Sequence, residues 1–317
     1  MSKLKIACHV VSRRVMRRFF SFLLRGLVIA GLCFVALAGY SAFAQRAIPP
    51  DNLAYPVLIE IPVDSGVESG SGFYINTAKS VYLVTAEHVL FNPDTKKLRG
   101  PQMTLLSYPR DPNDEGLNLV SVNLATLSSR GDVIPSATED VAVVRIESFT
   151  SATTMETQPK NATGTTGPRP LPPAMTIPGV TVLKLASSGA VVTSVGIVKK
   201  YADVLVGNEV IVYGYPTSIG LKQIPQLDPN RPLLRKGIVA GLNPATQTIV
   251  IDCPVYPGNS GGPVIELDRT PFRTDFKLIG VVTQFVPFAK GSSNFYSLDN
   301  SGYALVAPMD GVLALIK

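Results

Sequence analysis

The sequence predicts an all-β protein, and three observations carry that prediction. Short apolar or alternating segments rich in Val, Ile, Thr and Tyr recur between turn residues. Helical periodicity is present only at the end, in Met309-Asp-Gly-Val-Leu-Ala-Leu-Ile316. A stretch from Thr150 to Pro178, dense in Thr, Pro, Gly and Ala, could build no core and divides the β segments into two sets of similar size.

The segments run in order from Pro56–Val63, Gly72–Ile75, Val81–Val84, Met103–Ser107 and Val141–Ile146 in the first set. The second set holds Val180–Leu183, Ala190–Thr193, Glu209–Tyr213, Ile238–Ala240, Thr248–Asp252, Pro263–Ile265 and Leu278–Gln284. Each is of strand length and bounded by Gly, Pro, Asn, Asp or Ser, which punctuate strands through turns. The expected division is a leader at 1–44, an N-terminal β half at 45–149, a linker at 150–179 and a C-terminal β half at 180–317.

The leader is set apart by its own chemistry. Residues 1–25 carry seven Lys or Arg and no acid, an apolar run follows at Gly26–Gly39, and Ala42-Phe43-Ala44 closes it with small residues. Basic head, short apolar middle and small-residue exit make a secretory signal peptide, with cleavage expected before Gln45 and export to the periplasm or outside the cell. The apolar run is shorter than the ~20 residues of a spanning helix, so a membrane becomes a partner only if the segment is retained as an anchor. Ser12-Arg13-Arg14 alone is a weak sign of twin-arginine export.

Removing the leader changes the charge. Of 29 Lys+Arg, seven leave with it, so 22 basic residues face 23 acidic ones. The basic character of the whole chain therefore gives no reason to expect nucleic acid as a partner. Of three cysteines, Cys8 and Cys33 fall in the leader, and Cys253 alone cannot form an intramolecular disulfide. Stability must come from core burial.

His88 is the only histidine outside the leader, at the end of an apolar strand in Val84-Thr-Ala-Glu-His-Val89. Any imidazole base is therefore His88. Alone, such a histidine is more often an ordinary core or surface residue. Asp140 in Thr138-Glu-Asp-Val-Ala-Val-Val144 could supply the carboxylate that fixes an imidazole in one tautomer, but neighbouring Glu139 competes for that role and strand alternation does not choose between them. In Tyr256-Pro-Gly-Asn-Ser-Gly-Gly-Pro-Val264, glycines around Ser260 allow a turn tight enough to aim the Gly258 and Ser260 amides at one oxyanion. A Gly-rich β-turn without chemistry is the bland alternative. Gly258-x-Ser260-x-Gly262 also fits the nucleophile elbow of α/β-hydrolases, but there the histidine follows the serine, and none follows Ser260.

The order His88, Asp140, Ser260 is that of the chymotrypsin-type triad. Together with Gly70-Ser-Gly-Phe-Tyr74, Thr85-Ala-Glu-His88, Asp140-Val-Ala-Val143, Gly207-Asn-Glu-Val210, Tyr213-Gly-Tyr-Pro216 and Gly258–Pro263, it resembles the trypsin-like serine peptidases from about residue 54 onward. It looks closest to the bacterial high-temperature-requirement branch. The resemblance implies two Greek-key six-stranded β-barrels with the active site between them. It implies His88 as base, Asp140 as its orienting carboxylate, Ser260 as nucleophile, and Gly258 with Ser260 as the oxyanion hole. It also implies a protein or peptide substrate and no cofactor.

There are departures from the family pattern. Asn259 stands where trypsin-like zymogens carry the aspartate that pairs with a new N-terminus, so that activation route is not expected. The chain stops after the Met309–Ile316 helix, so the PDZ domain of the high-temperature-requirement proteases is not expected. Val255, Thr283 and Phe285 are the expected walls of the substrate pocket. With no carboxylate among them, a small or medium apolar side chain before the cut is favoured over Lys or Arg.

Other sites are excluded by their missing parts. Asp111-Pro-Asn-Asp-Glu-Gly116 begins like a calcium loop, but Val122 occupies the twelfth position where glutamate is needed. No His/Cys cluster suggests zinc, so no metal is expected. No Gly-rich run ends in the Lys-Ser/Thr of a phosphate loop. Asn161-Ala-Thr163 is a lone glycosylation acceptor. The rival from another class is a catalytically silent fold of this type serving as a protein-binding module.

Overall fold

Sixteen strands and a few short helices make up the described part of the computed structural model, which comprises residues 50–149, 175–216, 224–270, 273–292 and 295–316. The expected leader at 1–44 and most of the expected linker at 150–179 lie outside these residues. Among the described residues no helix is long and apolar enough to cross a membrane.

The first half is built on β1 (Pro56–Val63), β2 (Gly66–Asn76), β3 (Ser80–Thr85), β4 (Gln102–Ser107), β5 (Asn118–Asn123), β6 (Val133–Pro135) and β7 (Ala142–Ser148). β1 and β2 form a hairpin whose register runs from Pro56 opposite Phe73 to Val63 opposite Gly66. β3 sits between β2 and β7, and all six of its side chains are buried. This explains its near-continuous apolar sequence: both faces are covered, so alternation is not required. The core gathers Val57, Ile59, Leu83, Leu105 and Val144, all fully buried.

Three further strands join this sheet: β8 (Met175–Thr176) on β7, β9 (Val180–Lys184) on β5, and β10 (Thr193–Ser194) parallel to β2. The first half is thus one sheet of ten strands, and with the second half it gives the expected all-β architecture of two β halves. Residues 180–194 belong to it, not to the C-terminal half that the expected boundary gave them. The reason is pairing: β9 is an exposed edge strand, and its backbone groups are satisfied by β5.

The second half is a closed six-stranded barrel in the order β11 (Glu209–Gly214), β12 (Leu233–Asn243), β13 (Thr248–Asp252), β16 (Phe295–Pro308), β15 (Arg273–Ser292) and β14 (Pro263–Thr270). Its core includes Val210, Val212, Val239, Ile251, Val264 and Val306. Branched side chains of this kind fill a small barrel completely. Cys253 packs in the same core and forms no disulfide.

Residues 195–203 lie along this barrel in two 3-10 turns, with Val198 bridged to Leu278 and the Lys199 amide donating to the Leu278 carbonyl at 2.9 Å. The Lys199 ammonium meets Glu266 and Asp268, each at 3.0 Å, and the Glu266 carboxylate is fully buried. Three short helices complete the fold: α1 (Glu87–Leu90), α2 (Leu124–Ser129) and α3 (Met309–Leu315). The last is the expected C-terminal helix, anchored by buried Met309 and Val312.

Candidate active site

β3 delivers His88 to the surface. The strand ends at Thr85, Ala86 is fully buried, and His88 follows in the single turn of α1 rather than at the strand end that the sequence suggested. A histidine on a short turn capping a buried strand has a fixed backbone and an accessible ring.

Asp140 holds that histidine at two points. Its Oδ1 accepts from the His88 backbone amide at 3.0 Å, and its Oδ2 lies 2.7 Å from His88 Nδ1. A carboxylate facing Nδ1 keeps the proton on that nitrogen and leaves Nε2 as the acceptor. Arg99 adds a third restraint, donating from Nε to the His88 carbonyl at 2.7 Å while its guanidinium pairs with Glu68. Nothing in the sequence pointed to Arg99.

Glu139, the competing carboxylate, makes no hydrogen bond to the ring among the described residues, where Asp140 meets Nδ1 instead. Glu139 turns toward α3, where its Oε2 is buried without a hydrogen-bond partner among the described residues. Burial, and secondarily the negative charge of Asp310, hold its pKa above the usual glutamate range.

Ser260 stands on the Tyr256–Gly262 turn that joins β13 to β14. The turn is closed by Asn259, whose amide donates to the Tyr256 carbonyl at 2.9 Å and whose side-chain oxygen accepts from the Tyr256 amide at 3.0 Å. Where the zymogen aspartate would stand, Asn259 is thus a buried structural clip. Gly258 has φ +97° and Gly261 φ +86°, conformations that favour glycine. A side chain at Gly261 would also overlap the Ser71 carbonyl and the Thr85 hydroxyl. Among the described residues, neither the Gly258 nor the Ser260 amide donates to a protein acceptor.

His88, Asp140 and Ser260 line one cavity of about 340 Å³. No direct hydrogen bond joins Ser260 to His88 among the described residues. All three expected pocket residues, Val255, Thr283 and Phe285, line the same cavity. Val255 is 2 % exposed, and Phe285 packs against the second-half core. Asn300 donates to the Val255 carbonyl and Thr283 Oγ1 to the Leu305 carbonyl at 3.2 Å, so both walls are fastened to β16. Among the described residues no group of three or more His, Cys, Asp or Glu side chains gathers as a metal site would require.

A seryl residue that the sequence showed only as part of a motif binds the halves together. Ser71 on β2 is fully buried and donates its amide to the Ser260 carbonyl at 2.8 Å. Its hydroxyl donates to the Gly258 carbonyl at 2.6 Å and accepts from the Tyr215 amide at 2.9 Å.

Comparison with known proteins gives one family: residues 70–270 match the family described as trypsin-like peptidase domain. No curated protein matches the sequence. Among solved structures, the thermostable serine protease AL20 from an extremophilic microorganism shares 13 % identity over 84 % of this chain and 96 % of its own, with a TM-score of 0.48. The HtrA-type protease AlgW with tripeptide shares 16 % identity over 83 % of this chain and 58 % of its own, with a TM-score of 0.43. The serine endoprotease from Yersinia pestis shares 15 % over 85 % and 64 %, with a TM-score of 0.45. The chain therefore spans about six-tenths of the length of the latter two.

Proposed function

Because the chain belongs to the family of trypsin-like peptidase domains, we propose that it is an exported serine endopeptidase working through His88, Asp140 and Ser260. The observation that carries the proposal is the double hold of Asp140 on His88, at an imidazole that shares a cavity with Ser260.

In this reading Ser260 Oγ attacks the peptide carbonyl carbon and its proton passes to His88 Nε2. The electron pair of the carbonyl moves onto oxygen, which the Gly258 and Ser260 amides hold. Asp140 stays ionised and stabilises the imidazolium through Nδ1–H. His88 then protonates the leaving amine as the C–N bond breaks, giving an acyl-enzyme. Water, deprotonated by His88, attacks the ester and releases the acid and free Ser260.

The substrate is a protein or peptide. Val255 and Phe285 narrow the cavity with apolar surface, which favours a small or medium apolar side chain before the cut. Export rests on the sequence of residues 1–44, and N-terminal sequencing of the secreted protein, expected to begin at Gln45, tests it.

The chemistry is tested by treating the protein from Gln45 onward with a fluorophosphonate and mapping the adduct by mass spectrometry. Labelling at Ser260 that disappears in Ser260→Ala and His88→Ala is expected. A folded wild-type protein that takes no label would turn the reading toward a protein-binding module.

A further inference from the structure

We propose that Ser71 is a positioning residue that aims the oxyanion hole, an inference that rests on the peptidase reading above. Its three polar groups are all committed to the neighbourhood of the nucleophile. The amide donates to the Ser260 carbonyl, the hydroxyl donates to the Gly258 carbonyl, and the carbonyl accepts from the Thr85 hydroxyl at 2.7 Å. Thr85 is the last residue of β3, three positions before His88. One serine thus touches the turn that carries the nucleophile and the strand that carries the base.

The geometry explains why this matters for an oxyanion. The Gly258 and Ser260 amides must point at one place, and each lies one Cα away from the carbonyl that Ser71 holds. Gly258 has no side chain to restrict it and sits at φ +97°, so its peptide planes turn easily unless something fixes them. The Ser71 hydroxyl fixes the plane after Gly258, and the Ser71 amide fixes the plane after Ser260. Asn259 holds the other side of the turn through Tyr256.

Space reinforces the hold. A Cβ at Gly261 would overlap the Ser71 carbonyl, and one at Gly214 would stand 3.0 Å from the Ser71 hydroxyl. The hydroxyl donates to the Gly258 carbonyl and accepts from the Tyr215 amide, so its direction is set from both sides. Ser71 is fully buried, and no water from bulk competes for these bonds.

The test compares wild type, Ser71→Ala and Ser71→Cys by the second-order rate of fluorophosphonate labelling at Ser260 across pH, with thermal melts on the same samples. Loss of an oxyanion donor lowers turnover by about 10²–10³-fold, and a donor that is kept but turned aside forfeits part of that. Labelling by folded Ser71→Ala should therefore fall about tenfold or more. The pH midpoint of the profile should not move, because the His88–Asp140 pair is untouched. Ser71→Cys keeps the shape and a weak donor, and should fall between the two.

A lowered melting temperature with an unchanged labelling rate in the folded variant would overturn the inference, as would a shifted pH midpoint. Should Ser71→Ala not fold, the comparison on Ser71→Cys decides in the same way. Absence of label on wild type removes the peptidase reading and this inference with it, whereas labelled wild type with an equally reactive variant removes this inference alone.

Discussion

Asp140 accepts hydrogen bonds from both the backbone amide and the ring nitrogen of His88, one on each carboxylate oxygen. An asparagine at this position offers one acceptor and one donor to two donors. Either the backbone bond is lost, or the ring must rotate or change tautomer to meet the new NH₂ group. Asp140→Asn is therefore expected to lower kcat by roughly 10³–10⁴-fold with little change in melting temperature. Steady-state kinetics on a peptide substrate, with a melt as control, checks it.

The sequence made this pair legible through chain order and through the scarcity of histidine. It could not choose Asp140 over Glu139, because the choice depends on which carboxylate the loop at 136–141 turns toward α1. Strands with near-continuous apolar sequence, such as β1 and β3, were readable because most of their side chains are buried. β16 was not, since Leu298-Asp-Asn-Ser-Gly302 reads as a turn. In the fold Leu298, Asp299 and Asn300 continue the pairing with β15 up to a register shift, and Asn300 and Ser301 spend their side chains on the Val255 and Val286 carbonyls. α2, only six residues long, is shorter than a helical period can reveal. Ser71 was invisible as a functional residue because its partner Gly258 lies 187 positions away.

Glu139 gives a pH prediction. Its carboxylate packs against the backbone of Gly311 in α3, and burial together with Asp310 raises its pKa. A raised carboxyl pKa means that the folded protein retains a proton which the unfolded chain has already released. The stabilising contribution is present below the ordinary glutamate range and is lost as pH rises through the folded pKa. Glu139→Gln removes the titration, so its melting temperature should gain on wild type as pH rises from 4 to 7. Melts of both proteins across that range decide; a constant gap would reject the assignment.

Lys199 gives a stability prediction. It is the cation opposite Glu266, a carboxylate fully buried at the barrel wall. Lys199→Met keeps the volume but strands that negative charge, with an expected loss of about 3–5 kcal/mol. Urea unfolding measures it. Lys199→Met combined with Glu266→Gln should recover part of the loss, because the uncompensated charge is gone.

Phe285 gives a specificity prediction. Its ring is one wall of the cavity that His88 and Ser260 share. Phe285→Ala should widen the slot and raise the kcat/KM ratio of a Phe-containing peptide over an Ala-containing one by roughly 10–200-fold, the range of one to a few methylenes in an apolar pocket. Competition between the two peptides in one reaction reads that ratio directly.

Cys253 gives a reactivity prediction. Burial pushes its thiol up to about 11, and the side chain is sealed in the barrel core. The thiolate is the reactive form. Iodoacetamide at pH 8 should leave the folded protein from Gln45 onward unmodified and add one carbamidomethyl group after denaturation, as seen by intact-mass spectrometry.

The strands β8, β9 and β10 follow residue 150 in the chain yet complete the sheet of the half that precedes it. A chain divided between residues 150 and 174 would therefore yield two pieces that share a sheet. The N-terminal piece would lack three of its strands, and the C-terminal piece would carry them with nothing to pair. Neither piece is a module that recombination could transplant alone, and an active protein would have to be rebuilt by complementation of the two.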